Sequence, residues 1–232
     1  MRSRSRVLVV VVLLCSFSLQ IPAQTSRTKE RVSEMRSAIE RYTVDRGSLT
    51  RSYPVAVSRA RRERFKKLYS EWLASLQSID FDSMSQDGKI DYLLFKNHLE
   101  YELRQLDIQS RQISDIEPLV PFAAKIIELE EARRRMEPID SAKIAATLND
   151  LRKQVDEQRR AIERKTDIKK TVANRAAVAI NNLRNNLRNW YTFYNGYDPM
   201  FTWWNEEPYK TLDQSLTNYA TFLSERIVGI RS

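Results

Sequence analysis

The sequence predicts an all-α fold, an antiparallel bundle of about seven helices, and two observations carry that expectation. Its 232 residues include only four glycines, at 47, 88, 196 and 229. Its apolar residues recur at spacings of three and four, as on a helix with one buried face, and no stretch alternates residue by residue as a half-buried strand would.

The elements follow in order. A first helix is expected over residues 28–46, with Val32, Met35, Ile39 and Tyr42 on one stripe and Gly47 as its stop. After Pro54 a second begins near Ser58 and turns Phe65, Leu68, Tyr69, Trp72, Leu73 and Leu76 inward. The polar stretch 80–88 separates it from a third, over residues 86–110, long enough at about 1.5 Å per residue to cross a whole domain. Pro118 and Pro121 mark a new start, because proline is tolerated in a first helical turn, and a fourth helix runs from there to Met136. Asp140 or Ser141 caps a fifth, whose Ile144, Leu148, Leu151, Val155 and Ile162 form a heptad-like seam. A sixth, over residues 168–194, carries a matching stripe from Val172 through Ile180 and Leu187 to Tyr194. The two are expected to pair as an antiparallel hairpin. Then comes an aromatic-rich non-helical link containing Asn195-Gly196 and Asp198-Pro199, both turn formers. A seventh helix over residues 208–228 stops at Gly229.

The link is the most unusual segment. Nine of the chain's 22 aromatic residues fall between Trp190 and Tyr209. At about 150 to 250 Å² each, they bring on the order of 1,500 Å² of apolar surface, whereas a monomer rarely exposes a patch above about 600 Å². Most of these rings must be covered, by the chain's own helices, by a following polypeptide or by a ligand. Tyr197, Trp203, Trp204 and Tyr209 are the candidate binding residues.

Residues 1–24 read as an export signal: Arg2, Arg4 and Arg6 precede an unbroken apolar run from Val7 to Leu14, and small residues near Ala23 offer a cleavage point. The run ends after about a dozen residues where a membrane-spanning helix needs about 20, so no stable membrane span is expected once the signal is removed; Ile21, three residues before the cleavage point, leaves an uncleaved anchor as the alternative. The destination is then periplasmic or extracellular. Cys15 lies inside this segment, so residues 25–232 contain no cysteine and can form no disulfide, thiolate nucleophile or cysteine-ligated metal site. The segment carries three arginines and no acid, and its loss lowers the formal charge from +9 to +6.

Little of the remaining sequence points to catalysis. His98 is the single histidine and shares a helix face with Glu102, but a zinc site needs a third ligand, and His98-Leu-Glu-Tyr-Glu lacks the second histidine of a zinc peptidase motif. It reads as a hydrogen-bonded, partly buried side chain. Glu206-Glu207 reads as the acidic first turn of the seventh helix. The basic clusters at 59–67, 133–135 and 159–170 are interleaved with acids and read as solvated faces, so nucleic acid is not an expected partner.

Three blocks resemble a known family: residues 82–106, residues 118–136 from Pro118-Leu-Val-Pro-Phe-Ala to Arg133-Arg-Arg-Met, and above all Trp190-Tyr-Thr-Phe-Tyr-Asn-Gly-Tyr-Asp-Pro-Met-Phe-Thr-Trp-Trp. Together they are similar to the amino-terminal part of the bacterial domain of unknown function 885 family. The resemblance implies an exported, helical, zinc-dependent peptidase-like protein more than twice this length. Its metal-binding histidines would lie in a carboxy-terminal catalytic region beyond Ser232. None of those ligand positions maps onto this sequence, so no catalytic or metal-binding residue is assigned, and residues 25–232 are expected to be the truncated amino-terminal region of the larger domain. Three functions follow as expectations. The chain walls the substrate cleft of an exported metallopeptidase-like hydrolase, with a peptide as possible substrate and the catalytic region as partner. Alternatively it is a self-sufficient module whose aromatics bind a glycan, peptide or lipid, or a scaffold that pairs with a separate chain.

Overall fold

The computed structural model describes residues 32–230. Residues 1–24, the expected export signal, and the first residues of the predicted first helix lie outside them. Seven α-helices are present among the described residues, and no strand. No helix there is long and apolar enough to cross a membrane.

α1 spans Arg36–Ser52 and passes straight through Gly47. A helical glycine costs only about 1 kcal/mol relative to alanine. The stop comes instead from Pro54, which drives the residue before it out of the helical region: Tyr53 sits at φ −132°, ψ 74°. α2, Arg59–Leu76, starts as the sequence predicts, with Ser58 Oγ accepting from the Arg61 backbone N–H at 3.3 Å. The same hydroxyl donates to Glu131 Oε1 at 2.9 Å, tying the start of α2 to a distant helix. α3, Gln86–Ile116, is capped by Ser85 and runs one and a half turns beyond its predicted end. Nothing between Ser110 and Ile116 breaks a helix, and Ile113 and Ile116 continue the stripe of Leu106. At 31 residues it is about 46 Å long. Its first turn is roofed by Glu34, whose carboxylate accepts from Ser85 Oγ at 2.8 Å and lies where a Cβ on Gly88 would have to be.

A 3₁₀ turn, Glu117–Leu119, leads through buried Phe122 to α4, Ala123–Arg134. α4 ends on Met136 in the left-handed region at φ 57°, with the Glu137 N–H reaching back to the Ala132 carbonyl at 3.1 Å. Asp140 caps α5, Ser141–Glu163, and the Lys143 N–H that it accepts holds its carboxyl below the usual range. α6 covers Lys170–Tyr194.

α7 is where expectation and structure part. It spans Pro199–Phe222, so the non-helical link shrinks to residues 195–198. Asp198 and Pro199, which the sequence analysis assigned to a turn, are a helix start: Asp198 Oδ1 accepts from the Met200 N–H at 2.9 Å, and Pro199 occupies the position where its missing N–H has no partner to lose. Pro208, the predicted start, sits inside the helix. The proline is accommodated because Phe201 and Asn205 before it and Leu212, Leu216 and Tyr219 after it bury along one stripe. A π-helical turn, Leu223–Val228, closes the helix at Gly229, φ 91°.

Nor do α5 and α6 form the predicted hairpin. α7 lies between them, packed along α5 on one side and α6 on the other. The larger core gathers α4 to α7 with the end of α3. Within it Tyr219 donates to the Leu119 carbonyl at 2.8 Å and Asn205 Nδ2 to that of Ser141 at 3.1 Å. A smaller core, built from α1, α2 and the first half of α3, centres on Met35, Tyr42, Tyr69, Phe95 and Leu99.

Two outcomes are expected. Left-handed geometry costs a non-glycine residue roughly 1–2 kcal/mol, and Met136 is almost fully exposed, so Met136→Gly is expected to stabilise the chain by about 0.5–1 kcal/mol in urea denaturation. Burial pushes the phenols of Tyr42 and Tyr219 well above the ordinary tyrosine value of 10.0. Above about pH 10 the unfolded chain therefore releases protons that the folded chain keeps. Stability is expected to be complete below that pH and to fall as pH rises beyond it, with part of the tyrosinate absorbance appearing only as helix is lost. A phenolate absorbance that rises fully while helicity is intact would contradict this.

Candidate functional site

The nine rings of the aromatic segment divide between two roles. Trp190, Tyr191 and Phe201 are buried and pack at the junction of α6 and α7, with Phe201 5.6 Å from Trp190 and 5.0 Å from Tyr194. Tyr209, expected among the binding residues, instead lies parallel on Tyr191 at 3.9 Å and 2°, a stacked pair that clamps α7 to α6. Burial raises the phenols of both. Tyr209 therefore belongs to the packing.

The other three candidates are open to solvent. Trp203 is 73 % exposed, Tyr197 89 % and Trp204 40 %. The two indoles touch edge to face at 5.0 Å and 85°. Because α7 starts at Pro199, Met200 stands one turn before them on the same helix face, and it too is exposed. Tyr197 sits in the preceding turn, beside Gly196 at φ 82°. Phe193, in the last turn of α6, adds another exposed ring. Neither Met200 nor Phe193 was among the candidates. The spacing 200, 203, 204 would have revealed the first had the helix been started at Asp198-Pro199.

Phe193 links this corner to a cleft. Arg133 lies over its ring at 4.8 Å, and the same guanidinium grips Glu130 with two bonds, at 2.6 and 3.0 Å. Glu130 is almost wholly buried, and its two bonds hold the arginine above its ordinary pKa. Beside Arg133 a cleft of about 300 Å³ runs between α4 and α5, ending on Trp190 and Tyr194. Its floor is apolar, and its rim carries both signs of charge, with Lys143 on α5 and a Lys125–Glu128 pair at 2.9 Å on α4.

The remaining titratable groups are tied up structurally. His98 Nε2 lies 2.7 Å from the Tyr42 hydroxyl and 4.0 Å from Glu102, which also takes a hydrogen bond from Tyr69 at 3.3 Å. This is the hydrogen-bonded histidine the sequence suggests. Glu206 pairs with Lys210 at 2.6 Å in the middle of α7, not in a first turn as expected. Among the described residues no three side chains of metal-ligand type converge. Comparison with known protein families, curated proteins and solved structures finds no match, so the site is read from its own geometry.

Removing one member of a buried ion pair strands the other, at a cost of roughly 3–5 kcal/mol when both are fully buried. Arg133 is partly exposed, so Arg133→Met is expected to cost about 2–3 kcal/mol, and adding Glu130→Leu to recover part of it. Chemical denaturation of the two single variants and the double variant checks both expectations.

Proposed function

We propose that the chain is the helical, non-catalytic part of an exported metallopeptidase-like hydrolase, and that its aromatic corner and adjoining cleft hold an extended polypeptide. The observation that carries this reading is the open face of Met200, Trp203 and Trp204 on α7. Large apolar side chains grouped on one exposed face mark an interaction surface, where scattered ones would not. The cleft favours a polypeptide over a uniform ligand: its floor takes apolar side chains, while Arg133, Lys143 and Glu128 on its rim match backbone carbonyls and charges of either sign. The similarity of the Trp190–Trp204 stretch to the domain of unknown function 885 family supports the hydrolase context. The zinc that this resemblance implies belongs to the carboxy-terminal region, and no chemical step is assigned to side chains of this chain.

A carbohydrate is the alternative occupant, favoured by the perpendicular indoles, which leave flat faces for stacking. Intrinsic fluorescence separates the two, since Trp203 and Trp204 are half of the chain's four tryptophans. Titration with unstructured peptides of mixed apolar and charged composition is expected to shift the emission. Replacing both residues by alanine is expected to weaken binding at least tenfold while leaving the melting temperature within about 2 °C, as exposed positions do. A response to glycans with none to peptides would replace the polypeptide by the sugar. Undiminished peptide binding by the double variant would remove the aromatic corner from the function.

A further inference from the structure

On another part of the molecule, a groove of about 540 Å³ runs between the start of α2, the end of α3, and the faces of α4 and α6. That volume lies within the roughly 300–1,000 Å³ of small-molecule sites. Its floor is aliphatic, made by Ile113, Ile116, Val120, Ile127 and Leu183. One wall is cationic: Arg59 and Arg62 stand three residues apart on one face of α2, and Lys66 follows on the same face in the shallower depression that continues the groove.

The two arginines differ in how they are satisfied. Arg59 is exposed and bonded to Glu63 at 2.7 Å. Arg62 is partly buried and gives one bond, from Nη1 to the Val57 carbonyl at 2.9 Å; among the described residues it forms no ion pair. Burial, and after it the neighbouring Arg59, pull its guanidinium below the ordinary value. The wall opposite explains the missing partner. There α3 presents Ser110 and Ser114; Glu117, in the 3₁₀ turn, lines the end of the groove and Asp107 the depression that continues it, and neither reaches Arg62 within ion-pair distance. Glu63 and Glu117 favour its charge from a distance without bonding to it, and a bidentate carboxylate is the group that fits a guanidinium fork. Hydroxyls across the groove can donate to the same oxygens.

We propose that this groove binds a long-chain fatty acid, its carboxylate on Arg62 and its hydrocarbon tail along the aliphatic floor. Head and tail are both required: the floor supplies apolar contact, and Arg62 supplies a guanidinium that forms no ion pair among the described residues. The site shares no residue with the aromatic corner, so it stands or falls independently of the polypeptide reading.

Calorimetric titration of the full chain with dodecanoate, below the concentration at which it forms micelles, is expected to show one site per chain. Dodecyltrimethylammonium, with the same tail and opposite charge, and acetate, with the head and no tail, are expected to bind at least tenfold more weakly. Arg62→Gln is expected to weaken dodecanoate at least tenfold. Ser114→Asp, on an exposed position that cannot disturb the core, is expected to do the same by giving Arg62 an internal carboxylate. Absence of dodecanoate binding, equal binding of the cationic amphiphile, or full affinity in both variants would overturn the proposal. So would loss of binding on replacing Trp203 and Trp204 by alanine, which would place the ligand at the aromatic corner.

Discussion

Helix α7 has to satisfy two neighbours at once. Its stripe of Phe201, Leu212, Leu216, Tyr219 and Leu223 is fully buried between α5 and α6, and each such side chain contributes roughly 1.5–3 kcal/mol on leaving water. That burial explains why the helix tolerates Pro208 in its interior. An isolated helix would break there, at a cost of about 3 kcal/mol. Two buried polar groups then fix its register: Tyr219 reaches the turn before α4, and Asn205 the first turn of α5. With the buried face so determined, the opposite face of α7 has no freedom left, and Trp203 and Trp204 must point outward.

The long α3 solves a different problem. A chain of this size has two hydrophobic centres, and one 31-residue helix serves both, through Phe95 and Leu99 at one end and Ile116 at the other. The smaller centre is held by rings meeting edge to face, with Tyr42 5.0 Å from Phe95 and 6.1 Å from Trp72. Its polar groups close on one another in two pairs, Tyr42 with His98 and Tyr69 with Glu102, and the His98 ring lies 4.0 Å from Glu102. This is how a lone histidine can lie near a glutamate without forming a site: its ring nitrogen is already engaged. The floor of the groove at Arg62 is the edge of the larger centre, through Ile116, Val120 and Leu183, which is why it is apolar although its rim is charged.

Much of this was legible in the chain. The fold class follows from the apolar period, and the helix starts at Ser58 and Asp140 follow from a polar residue placed just before a periodic run, whereas the Ser85 cap is hidden in a stretch that reads only as a turn. The failures have physical sources. Gly47 reads as a stop, but the stronger constraint is Pro54, seven residues further on. Asp198-Pro199 is both a turn signal and a helix start, and local sequence cannot separate the two readings; burial of Phe201 and Asn205 decides between them. The seams of α5 and α6 show which face each helix buries but not against which partner, and so α7 could be threaded between them unseen. Of the candidate binding residues, Tyr197, Trp203 and Trp204 stand exposed, whereas Tyr209 stacks on Tyr191, a contact that depends on a helix pairing no spacing encodes.

The case for function at the aromatic corner finally rests on a contrast within one helix. The solvent face of α7 continues from Met200, Trp203 and Trp204 through Glu207 and Thr211 to Gln214 and Asn218, which bond to each other at 2.8 Å in solvent. From Glu207 onward this face obeys the rule that exposed helix positions are polar; in its first two turns it breaks the rule with one methionine and two indoles. Trp203 and Trp204 meet each other edge to face, with Trp204 partly covered, while the core beneath is filled by Phe201 and Trp190. Where a sequence follows its own patterning for most of an element and departs from it at one end, the departure serves something other than folding. In this helix that departure is the ground on which a partner at Trp203 is proposed.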